Sequence, residues 1–77
     1  MTRFLCAGVS AEAGNAHLAA RIFADLAAKQ RYGEDGMATY IAETSEPGVF
    51  RVFVGVYQRN GRTAGETIFL TITAETN

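Results

Sequence analysis

A single cysteine, a single proline, one histidine and no tryptophan stand in a chain of 77 residues, and each scarcity closes a route. Cys6 has no mate, so no intramolecular disulfide can staple the fold. His17 has neither a second imidazole nor a cysteine pair beside it, so no metal or cofactor is expected. Seven Lys+Arg stand against eight Asp+Glu, a net charge of −1, with no basic run. The electrostatic footprint for a phosphate backbone is therefore missing, and nucleic acid is an unfavoured partner. No apolar stretch approaches the ~20 residues needed to span a bilayer, and Met1 to Val9 is too short and too soon polar for a signal peptide. A cytoplasmic location without membrane contact is the resulting expectation, and an unpaired thiol suits a reducing compartment.

A chain this short, read as one domain over residues 1–77, buries only roughly 60% of the surface its unfolded form exposes. With disulfide and metal set aside, burial against a partner is the remaining way to add stability.

The most patterned stretch runs from Val49 to Ala74, where two β-like segments flank Arg59-Asn60-Gly61. One face reads Phe50, Val52, Val54, Val56 with Ile68, Leu70, Ile72. The other reads Phe53, Tyr57 and Phe69 among Arg51, Thr67, Thr71 and Thr73. A two-residue Asn-Gly hairpin would put Arg51 on the apolar face. A three-residue loop with Gly61 in the left-handed position instead pairs Phe50 with Leu70, Val52 with Ile68 and Arg51 with Phe69, and register follows the hydrophobic face.

Upstream, Phe4 to Val9 reads as a first strand. Ser10 or Asn15 can cap the next helix, which is secure from Ala16 to about Gln30. Leu18, Ile22 and Leu26 recur at i+4, with Ala19, Phe23 and Ala27 extending the stripe, so this face is expected to cover the sheet. Ala13, Ala16, Ala20, Ala24 and Ala28 form the opposite face, which reflects either helix propensity alone or a flat surface for close approach. Gly33 suits a helix C-terminus, a strand is expected over about Met37 to Glu43, and Pro47-Gly48 has the preference of a type II turn. The expected fold is α+β, in the order β-α-β-β-β, with one helix on one face of a four-stranded, mainly antiparallel sheet.

Chemistry-bearing residues have plain structural explanations. Cys6 lies in an apolar strand, where a thiol is inert, and His17, Arg21 and Asp25 form a solvated helix ladder. Glu34-Asp35 and Glu43/Glu46 lie at turns with nothing to drive their ionisation apart. Gly8 to Asn15, between strand and helix, is a weak anion loop that lacks the phosphate-loop motif. No catalytic residue is assigned.

Phe50-Arg51-Val52-Phe53-Val54-Gly55 resembles the Tyr-Arg-Val-x-Val-Gly strand of the peptidoglycan-binding SPOR repeat. That resemblance stops at Gly55, since the family continues into a helix where Arg62 to Ala74 reads as a strand. In size and architecture, without any motif, the chain resembles small inhibitor proteins of phages and mobile elements, anti-CRISPR proteins among them. This implies a non-enzymatic module that binds another protein, or a host nucleic-acid-processing complex of CRISPR-Cas type, as a stoichiometric inhibitor. The expected interface is Arg51, Phe53, Tyr57, Arg59, Arg62, Glu66 and Phe69, an apolar centre with a polar rim. A second copy of the chain is another candidate partner. Two alternatives remain: a nucleic-acid-binding domain using the sheet aromatics, and an oligomeric ligand-binding or enzyme subunit with its site between protomers.

Overall fold

The computed structural model describes residues 1–58 and 61–75; Arg59 and Asn60 of the expected loop lie outside them. The elements are β1 (Thr2–Cys6), β2 (Val9–Ala13), α1 (Ala16–Tyr32), β3 (Met37–Glu43), β4 (Val49–Tyr57), β5 (Thr63–Thr71) and β6 (Thr73–Ala74). They form one helix with two three-stranded antiparallel sheets, ordered β2-β1-β6 and β3-β4-β5. The α+β class holds, but the single four-stranded sheet does not.

The difference begins at Ala7-Gly8. Both have positive φ, 51° and 82°, the signature of a tight type I′ turn, and Cys6 pairs with Val9 across it. The segment expected as one strand over Phe4 to Val9 is therefore a hairpin. Alanine in the left-handed region is strained, so the residue preference that normally announces this turn is absent. Because β2 occupies Val9–Ala13, the expected anion loop is mostly strand. The other end of the sheet is closed by β6, which pairs Ala74 with Phe4 and Thr73 with Leu5, while the Glu75 N–H donates to the Arg3 carbonyl at 2.8 Å.

Asn15 caps α1, its Oδ1 accepting from the Leu18 N–H at 2.9 Å. Gly33 ends it, donating to the Lys29 carbonyl at 2.9 Å. The face that α1 buries is rotated from the expected one: Ala19 and Phe23 of the expected stripe are enclosed, but alongside the alanines of the opposite face and not alongside Leu18, Ile22 and Leu26. Ala19, Ala20, Phe23, Ala24 and Ala28 are enclosed, whereas Leu18, Ile22 and Leu26 are 49%, 39% and 45% exposed. Both stripes satisfy a helical period, so volume decides between them. The sheets supply Phe4, Phe50, Val52, Val54, Leu70 and Ile72 to the core, and bulk from the strands fills the layer when small helix residues face it, as alternation of large and small requires.

The β4–β5 register is the expected one, Phe50 with Leu70, Arg51 with Phe69 and Val52 with Ile68, and Gly61 has φ 80°. Pro47-Gly48 also turns as expected. Gly48 has φ 82° and the Val49 N–H donates to the Glu46 carbonyl at 3.1 Å, the type II pattern that needs a residue tolerant of positive φ. Thr44 Oγ1 braces this turn by donating to the Val49 carbonyl at 2.9 Å. No helix among the described residues is long and apolar enough to cross a membrane.

Candidate protein-binding face

The outer face of β3-β4-β5 is assembled by cross-strand rungs. Tyr40, Phe53 and Thr67 make one rung, Ala42, Arg51 and Phe69 the next, and Met37, Gly55 and Gly65 a third. Phe69 is 63% exposed, Tyr57 61% and Tyr40 52%. Arg51 leans across to β3, its Nη2 donating to Tyr40 Oη at 3.4 Å and its guanidinium carbon 5.7 Å from the Tyr40 ring centroid. That cation–π contact holds the guanidinium over the Tyr40 ring.

The glycine rung shapes the face. A Cβ on Gly55 would lie 2.3 Å from the Ala64 carbonyl oxygen, and one on Gly65 would lie 2.4 Å from the Val54 carbonyl oxygen. No side chain fits at either position. The Phe53 ring lies over Gly65, its Cζ 2.8 Å from where that Cβ would stand, which explains why Phe53 is half-buried. Aromatic cover of a strand glycine is a stabilising cross-strand device, so Phe53 belongs to the sheet's own packing as well as to its surface.

Of the residues singled out from sequence, Arg51, Phe53 and Phe69 converge on this face, with Tyr57 further along β4. Glu66 does not join them. It pairs with fully buried Val54, so it lies on the helix side, where its carboxylate meets Arg31 of α1. Its parity with Ile68 and Leu70 already carried that information. Arg62 is exposed just before β5, and Arg59 lies outside the described residues. Tyr40 was missed because β3 is bulged: register shifts between Ala38 and Tyr40, leaving Thr39 without a partner on β4, and simple alternation fails there.

Cys6 is buried and burial pushes its thiol above its ordinary pKa of 9.0, opposite to what a nucleophile needs. His17 is exposed and sets its ring edge against Phe50, centroids 6.0 Å apart, so it has a packing contact of its own. Among the described residues no group of three or more His, Cys, Asp or Glu is placed to hold a metal ion.

Comparison with protein-family models, curated proteins and solved structures finds no match.

Proposed function

We propose that this protein is a non-enzymatic binding module that engages another protein through the outer face of β3-β4-β5. The observation carrying this reading is the row Tyr40, Arg51 and Phe69. Two aromatics more than half exposed flank an arginine already oriented by one of them, and Tyr and Arg are residues that dominate binding energy at interfaces. In the inhibitor form of this reading, the partner is a larger host assembly of nucleic-acid-processing type. The module then acts by occupancy, with inhibition saturating near one copy per target site.

Affinity capture from the native host, followed by titration of the captured partner against wild type and Phe69→Ser, tests this reading. Phe69 projects into solvent, so the variant should fold normally while its affinity falls by a factor of about 30 or more, the ~2 kcal/mol of an interface hot spot. Equal affinity of wild type and variant for every captured protein would refute it. An affinity that falls steeply with salt and follows added single-stranded DNA or RNA would establish the nucleic-acid alternative in its place.

A further inference from the structure

We infer that a second copy of this chain docks on the outward side of α1, the two helices crossing antiparallel about Ile22. This surface is separate from the outer sheet face, and the inference does not depend on what that face binds. Leu18, Ile22 and Leu26 form an uninterrupted i+4 ridge, each roughly 40–50% exposed, on a helix whose other side already fills the core. Ridges of this spacing pack into their own kind at a crossing angle near −50°.

Three properties of the ridge select a second copy. It is palindromic: with the two-fold axis at Ile22, Leu18 stands opposite Leu26 of the second copy and Ile22 opposite its own mate. Its charges are also self-complementary. At 3.6 residues per turn, Arg21 and Asp25 share one flank of the ridge, and an antiparallel pair sets Arg21 beside Asp25 of the second copy, twice. Neither side chain has an ion pair or hydrogen bond among the described residues. A parallel pair would instead turn this charged flank toward the other flank of the ridge, where Ala19 is buried and the exposed Gln30 carries no charge. Finally, the surface holds both a knob and its socket. Met1, Ala13, Gly14, Leu18 and Ile22 line a hollow rimmed by Glu12, Arg21 and Asp25, and Leu26 of the second copy, opposite Leu18, enters it.

A standard interface takes about 800 Å² from each partner, roughly 15% of the 5236 Å² surface of this chain. A contact confined to one helix ridge and its hollow belongs with reversible rather than obligate dimers.

Sedimentation equilibrium from about 5 to about 300 μM should show the mass rising from 8.3 kDa toward twice that value. Ile22→Glu should remain monomeric throughout, with an unchanged far-UV spectrum. Arg21→Asp should weaken the dimer about tenfold or more, and the swap Arg21→Asp/Asp25→Arg should restore it; both changes are on the surface, so the pair decides the matter even if Ile22→Glu folds poorly. A wild-type mass fixed at the monomer value would overturn the inference. So would a swap that fails to rescue, or a dimer abolished by Phe69→Ser and indifferent to Ile22→Glu.

Discussion

Replacing Ala24 with leucine tests the packing of this fold more sharply than removing any large residue from the helix. Ala24 is fully enclosed, as are Ala19, Ala20 and Ala28 around it, between the helix backbone and strands that bring Val52 and Val54 to the same core. Three added carbons find no space there, and the helix must lift. Overpacking of this kind costs about 1–3 kcal/mol, and the rigid backbone on both sides argues for ~3. Ile22→Ala supplies the contrast. It removes about three methylene-sized groups, about 2.4 kcal/mol if they were wholly buried. With 39% of the residue already in water, about 1.5 kcal/mol of that transfer energy applies, and the better helix propensity of alanine offsets ~0.4. The net loss is about 1 kcal/mol. A domain of this length is stable by roughly 4 to 12 kcal/mol, so urea unfolding followed by circular dichroism separates the two variants cleanly. The measurement should be made at a concentration where the chain is monomeric. If Ile22→Ala proves the more damaging change, or Ala24→Leu leaves the midpoint unmoved, the buried face has been misidentified.

Two further outcomes are expected. Ala7→Asn should relieve a left-handed alanine at a position where asparagine is preferred, stabilising the protein by about 0.5–1 kcal/mol and raising Tm by roughly 2–8 °C for a domain this size; a lower Tm would refute the turn. Cys6 is neutral in the fold with its pKa raised above 9.0 by burial, so its contribution is fully present below the unfolded value and is lost as pH rises through the folded one. As pH rises through and above 9.0 the wild type should therefore lose more stability than Cys6→Ala, and parallel curves in urea titrations would show the thiol to be solvated.

What could be read in advance was the part governed by local rules. The β4–β5 register followed from Phe50, Val52, Ile68 and Leu70 sharing one face, and the turn at Gly48 and the helix end at Gly33 followed from the conformations those positions demand. The helix face could not be read, because Leu18-Ile22-Leu26 and the alanine stripe have the same period. The choice between them depends on how much volume the strands contribute. The β1–β2 turn was hidden by an alanine where asparagine or glycine would announce it. The strand β6 is two residues long and exists only through a partner at the far end of the chain. At the candidate face, parity placed Arg51, Phe53, Tyr57 and Phe69 together, and the bulge at Thr39 concealed Tyr40.

The pairing of β6 with β1 has a consequence for how the protein is made. Phe4 meets Ala74 only after a loop of roughly 70 residues closes, an entropic cost of about 4 kcal/mol set against a ladder of two residue pairs. The N-terminal hairpin must therefore hold together on its own β1–β2 contacts while the rest is synthesised. At about 5–20 residues per second that interval is on the order of 4–14 s, during which the open edge of β1 is presented to whatever strands lie nearby. Nascent chains crowded on one messenger thus expose an edge of β1 that β6 covers in the finished molecule.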